Sequence, residues 1–175
     1  MKTLYESLLD DFDTLEANSN PISTIRKFIE DNYNYNNELK ISKKPNKNGY
    51  YEVSINGDVD ADFDIQSLTN GIFIWKQVKG VFNCEECNNL TSLEGSPREV
   101  QGFFDCSYCP NLKSLEGAPD YVRDSFYCTG NSKLKSLKGG PKIVDGPFYC
   151  TDCGKQFKEK DIINAKIIVR GGINI

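Results

Sequence analysis

The fold is decided by residues 81–146, where VFNCEECNNLTSLEGSPREVQG (81–102) is followed without insertion by FFDCSYCPNLKSLEGAPDYVRD (103–124) and SFYCTGNSKLKSLKGGPKIVDG (125–146). Cys84, Cys106, Cys128 and Cys150 stand 22 residues apart, and Phe82, Phe104, Phe126 and Phe148 keep the same register. The offset also relates Leu90, Leu112 and Leu134, then Leu93, Leu115 and Leu137, and the Gly, Pro and Val that close each unit. Written once, the unit is V-x-x-x-F-x-C-x-x-[CN]-x-x-L-x-S-L-x-G-x-P.

A fixed period of this length means that each unit is one coil of a solenoid, too small to bury its own apolar face. The expected fold is therefore mainly β, a short β-solenoid capped by two N-terminal helices and a C-terminal helix and strand. Phe and Cys two residues apart share one side of a strand, so both columns are predicted to point inward. The Leu and Val columns and the Ser92, Ser114 and Ser136 column are predicted to join them. Stacked strands advance ~5 Å per coil, and roughly three and a half such coils lie near the minimum for a stable array.

Flanking segments supply the ends. Leu4, Leu8, Phe12 and Leu15 recur at helical spacing, which predicts an acidic amphipathic helix over 3–16. Asn20-Pro21 opens a second stripe of Ile22, Ile25, Phe28 and Ile29 that ends near Asn32. Residues 33–48 are rich in Asn and Lys and read as a loop with a short strand around Ile41. Between 51 and 65 apolar residues alternate with polar ones on both sides of Asn56-Gly57, a β-type signal interrupted by a turn. The organisation expected is 1–50 as helical cap and loop, 51–77 as β cap, 78–155 as solenoid and 156–175 as C-terminal cap.

Residues flanking the inward Phe and Cys face outward. Val81, Phe103, Ser125 and Pro147 form one such column, and Asn83, Asp105, Tyr127 and Tyr149 the next. Uneven side chains on a fixed scaffold suit recognition, so Phe103, Asp105, Tyr108, Tyr127 and Tyr149 are the candidate partner-binding residues. The plain alternative is that β-rich surfaces favour aromatics. Turn columns drift from Thr91 and Glu94 to Lys135 and Lys138, a gradient able to steer a partner or to remain a solvated face.

Composition narrows the chemistry. Twenty-one Lys and Arg against 25 Asp and Glu give a net charge of −4, which argues against a nucleic-acid partner bound by global positive charge. There is no histidine, so Ser-His and Cys-His nucleophile pairs and the commonest metal ligand are missing. With no P-loop, dinucleotide or nucleophile-elbow motif in context, the expectation is a non-enzymatic chain without a cofactor. MKTLYESLLDDFDTL shows no apolar h-region and no run approaches ~20 apolar residues, so no leader, no membrane span and a cytoplasmic setting are expected.

The segment Leu90-Thr91-Ser92-Leu93 within F-x-C-x-x-[CN]-x-x-L-x-S-L resembles the cysteine-containing leucine-rich repeats of bacterial surface proteins of the BspA kind. The layout that joins LYESLLDDFD (4–13) to G-x-F-x-C coils and S-L-E-G-x-P corners also resembles uncharacterised proteins of large tailed bacteriophages. These resemblances imply a protein-binding solenoid, phage-encoded, in the host cytoplasm or the virion. A structural part of a virion or assembly is the alternative, and neither resemblance implies catalysis.

Seven cysteines can be read in more than one way. Cys84-x-x-Cys87 and Cys106-x-x-Cys109 match the spacing of a four-cysteine zinc ribbon, and Cys150-x-x-Cys153 is a third pair. Against this, the repeat already dictates where each Cys falls, and Asn131 replaces the second Cys of its unit without loss of register. Leucine-rich repeats use Asn or Cys interchangeably at such a turn to bond the backbone of a neighbouring coil. A structural ladder, a zinc module and disulfide chemistry remain the readings, in that order. On the ladder reading, a hydroxyl at Cys128 is expected to find no partner among apolar neighbours.

Overall fold

The structure is a computed structural model and describes residues 20–175. The helix expected over 3–16 lies outside the described residues. Helix α1 (Pro21–Asn32) starts as the sequence suggests, with the Asn20 side chain accepting a hydrogen bond from the Ile22 N–H at 3.0 Å and proline in its first turn. Its buried stripe, Ile25 and Ile29, faces the end of the solenoid.

The solenoid has about six turns, more than the repeat motif alone indicates. The chain passes through β1 (Tyr33–Tyr35), β2 (Leu39–Ile41), β3 (Tyr51–Ile55), β4 (Val59–Ala61), β5 (Phe73–Val78) and β6 (Phe82–Asn83). It continues through β7 (Glu99–Val100), β8 (Phe104–Asp105), β9 (Tyr121–Val122), β10 (Phe126–Tyr127), β11 (Ile143–Val144) and β12 (Phe148–Tyr149). Helix α2 (Glu159–Ala165), β13 (Ile168–Val169) and β14 (Ile173–Asn174) complete it.

Each coil contributes one strand to each of two sheets. The first sheet runs β1-β4-β6-β8-β10-β12-β14 and carries the Phe-x-Cys segments; the second runs β13-β11-β9-β7-β5-β3-β2 and carries the Val column. Pairing is parallel except at the beginning, where β1 on β4 and β2 on β3 are antiparallel. Asn56-Gly57 is therefore a corner between sheets, since β3 pairs with β5 and β4 with β6. Residues 51–78 lack the Phe-x-Cys motif yet join the same ladders, with Val59 opposite Phe82 and Val53 opposite Trp75.

Inward columns build one continuous core. Phe82, Phe104, Phe126 and Phe148 are fully buried and stack nearly parallel, with centroids 5.5, 5.3 and 5.3 Å apart, an offset geometry worth about 0.5–1.5 kcal/mol per pair beyond burial. At the N-terminal end Phe28, Tyr33, Phe73 and Trp75 meet edge to face and plug the stack. The Tyr33 hydroxyl and the Trp75 indole N–H both donate to the Leu68 carbonyl, at 2.7 and 3.1 Å.

The serine column is a correction to the sequence reading. Ser92 and Ser114 are only half-buried and Ser136 is exposed. Their hydroxyls accept from the backbone N–H two residues on, at Glu94, Glu116 and Lys138, and so shape the turn instead of filling the core. The following glycines turn the corner at positive φ: 91° at Gly95, 88° at Gly117 and 76° at Gly139.

Candidate functional site

The cysteines form two ladders. Cys84, Cys106 and Cys128 point along the solenoid axis, and each thiol donates to a carbonyl of the next coil: Asp105 at 3.1 Å, Tyr127 at 3.3 Å and Tyr149 at 3.4 Å. The apolar surroundings expected for Cys128 therefore do contain an acceptor, which corrects the expectation that a hydroxyl there is orphaned. The second column points the other way. Cys109 donates to the Cys84 carbonyl at 3.2 Å, Asn131 to the Cys106 carbonyl at 3.0 Å and Cys153 to the Cys128 carbonyl at 3.2 Å. Asn and Cys thus make the same bond to the preceding coil, as expected.

Burial raises the Cys84 and Cys106 thiols well above their ordinary range and pushes Cys128 up to about 11. Neutral thiols donating to carbonyls are structural groups. Cys150 and Cys153 lie 3.5 Å apart through their sulfurs, and Cys153 is the one thiol not fully enclosed. Among the described residues no group of three or more His, Cys, Asp or Glu could hold a metal ion.

Of the candidate binding residues, Phe103, Asp105, Tyr127 and Tyr149 sit on the outer side of the first sheet. Tyr127 and Tyr149 occupy one column and stack with centroids 4.8 Å apart at 2°. Phe103, from the adjacent column, reaches diagonally to Tyr127 with an edge-to-face contact at 5.6 Å and 87°. The diagonal is open because Ser125, the next residue in Phe103's own column, is small and itself 6% exposed; the sequence reading had it facing outward. These three rings make one half-buried aromatic strip.

Asp105 lies beside Tyr127 in the same column. Its carboxylate accepts the Ser107 N–H at 2.8 Å, yet burial holds its carboxyl above the ordinary value of 3.8. Tyr108 stands apart. It occupies the corner at φ 55°, 53% exposed, in the position taken by Glu86, Gly130 and Asp152 in the other coils. A Cβ on Gly130 would meet the Tyr108 ring at 2.4 Å, so this ring packs against the next coil at that glycine.

The two sheets differ in how their acids are paired, a contrast that reading residue by residue does not show. Along the second sheet three ion pairs join neighbouring coils: Lys76 with Glu52 at 2.8 Å, Lys142 with Asp120 at 2.7 Å and Arg170 with Asp145 at 2.7 Å. The strands of the first sheet contain no Lys or Arg. Asp58, Asp60, Glu85 and Asp105 beside them form no ion pair among the described residues. Listing the outward residues of each strand by sign would have revealed it.

No described helix is long and apolar enough to cross a membrane. Comparison with family models, with curated proteins and with solved structures gives no match.

Proposed function

We propose that the chain is a non-enzymatic protein–protein interaction module that binds a partner on the outer face of the first sheet. The observation that carries this reading is the contiguous strip of Phe103, Tyr127 and Tyr149, held in fixed relation by parallel strands whose next residues are buried Phe and Cys. Rigid aromatics lose little entropy on binding and are the usual anchors of protein interfaces. The reading without catalysis is supported by the missing histidine and by thiols engaged with backbone carbonyls. The Phe-x-Cys and Leu-x-Ser-Leu columns support leucine-rich-repeat-like ancestry, and the phage-encoded origin rests on the resemblance carried by residues 4–13 joined to the coil layout.

Affinity capture with cross-linking and mass spectrometry tests the face directly, comparing wild type with Phe103→Ala/Tyr127→Ala/Tyr149→Ala. A specific protein cross-linked near Tyr127 and lost from the triple variant is the expected result. Equal recovery by both forms, with the variant still folded, rules this face out.

A further inference from the structure

We infer that the partner bound on the first sheet is a basic, extended polypeptide segment, its Arg or Lys side chains seated on the Asp60–Asp105 half of the outward ladder and its apolar side chains on Tyr127 and Tyr149. This rests on the interaction reading above and adds the chemistry of the partner.

Register makes the ladder one straight line. Asn34, Asp60, Asn83, Asp105, Tyr127, Tyr149 and Asn174 are successive partners across seven strands. The four steps from Asp60 to Tyr149 cover about 19 Å at ~4.8 Å per coil, the reach of about six extended residues. The first half offers carboxylates and amides, the second half aromatic rings.

Charge complementarity decides the occupant. Asp60, Glu85 and Asp105 gather where the sheet supplies no cation, with Asp58 beside them held by the Val81 N–H and the Asn36 amide, whereas Glu52, Asp120 and Asp145 on the opposite sheet meet Lys or Arg from a neighbouring coil. Asp105 is half-buried as a carboxylate, and Asn83, the residue beside it in the ladder, makes the same turn bond, accepting the Glu85 N–H at 3.0 Å. An amide therefore serves the fold at this position, and the charge at Asp105 has no structural use. A guanidinium at Asp105 and a second cation at Asp60, about 10 Å away across Asn83, supply the missing partners. An acidic segment or a nucleic-acid backbone meets only repulsion here.

The test uses fluorescence anisotropy with the whole chain and three labelled peptides. The first alternates Arg with Ser and ends in Leu-Trp; in the second citrulline replaces each Arg, and in the third Glu does. The Arg peptide is expected to bind about tenfold or more tightly than the citrulline peptide, with no binding of the Glu peptide. Asp60→Asn/Asp105→Asn should abolish the preference for Arg over citrulline while thermal unfolding shows the chain folded. Tyr127→Ala/Tyr149→Ala should weaken both. Equal binding of Arg and citrulline peptides by wild type, sensitive to the Tyr substitutions, overturns the basic-partner inference and leaves the aromatic strip standing. Binding of no peptide overturns this inference, and the interaction reading falls separately if cross-linked capture is also unchanged in the triple variant.

Discussion

Asn131 holds Cys109 across the gap between two coils: its Oδ1 accepts the Cys109 backbone N–H at 2.8 Å, while its Nδ2 donates to the Cys106 and Cys128 carbonyls at 3.0 and 2.8 Å. One fully buried amide thus satisfies three backbone groups. Asn131→Ala leaves the Cys109 N–H and the Cys106 carbonyl unpaired, at about 1–3 kcal/mol for each buried group, while the Cys128 carbonyl keeps the Cys153 thiol at 3.2 Å. A loss of about 3 kcal/mol or more is expected in urea unfolding. Cys109→Asn, which installs the same amide one coil earlier, is expected to cost less than about 1.5 kcal/mol. Equal losses from the two substitutions would falsify the equivalence of Asn and Cys in this column.

Cys128 tests the other ladder. Because its thiol already donates to the Tyr149 carbonyl at 3.4 Å, Cys128→Ser retains an acceptor and should cost about 1 kcal/mol. Phe126→Ala removes the ring stacked between Phe104 and Phe148 and should cost about 3–5 kcal/mol. Nearest-neighbour contacts carry the stability of a solenoid, so the Phe126 variant should also broaden the transition. Calorimetry on both variants checks the ranking; a Ser variant as damaged as the Ala variant means that the hydroxyl is not satisfied.

The corner glycines differ in how much a side chain would disturb. At Gly117 φ is 88° and a Cβ would stand 2.5 Å from the Glu94 Cα and N, backbone atoms of the preceding coil. At Gly49 φ is 85° but nothing lies within 4 Å. Gly49→Ala therefore carries the conformational cost alone, about 1 kcal/mol, and Gly117→Ala adds a collision between coils that should raise the loss above about 3 kcal/mol. Parallel denaturant titrations of the two variants give the comparison.

Asp105 gives a pH-dependent stability signal with a definite sign. Its folded-state carboxyl is raised by burial, so the unfolded chain releases this proton more readily, and the ionised form opposes folding above that pKa. The groups around it are Asn83, Tyr127, Ser107 and the acidic Glu85, none of them cationic. Asp105→Asn should therefore raise the melting temperature at pH 7. The gain should shrink as pH falls through the raised folded value and vanish below the unfolded value of about 3.8, where the carboxyl is neutral in both states. A lower melting temperature for Asp105→Asn at pH 7 contradicts the assignment. Stability given up for an unpaired carboxylate is consistent with a residue kept for binding.

The repeat was legible in the sequence because in-register parallel coils place identical positions on top of one another: a column of Phe at period 22 can only stack, and a column of Leu can only line the interior. Helix α1 was legible for a local reason, its Asn-Pro start and its Ile spacing. Residues 51–78 were harder, since they join the solenoid through backbone pairing, which needs no shared motif. The serine column was misread because a small polar residue fits an interior or a turn equally well by pattern, and only the nearby N–H groups decide.

Tertiary structure alone decided the site. Phe103 and Tyr127 belong to different columns 24 residues apart, and they touch only because Ser125 leaves room for the diagonal. The thiols could have faced a metal, one another or the backbone; the axial rise between coils puts carbonyl oxygens within their reach. The carboxylates of the first sheet and the ion pairs of the second are indistinguishable in composition. Which acid meets a cation depends on which side of the coil each strand turns outward, a property of the closed solenoid that no single unit contains.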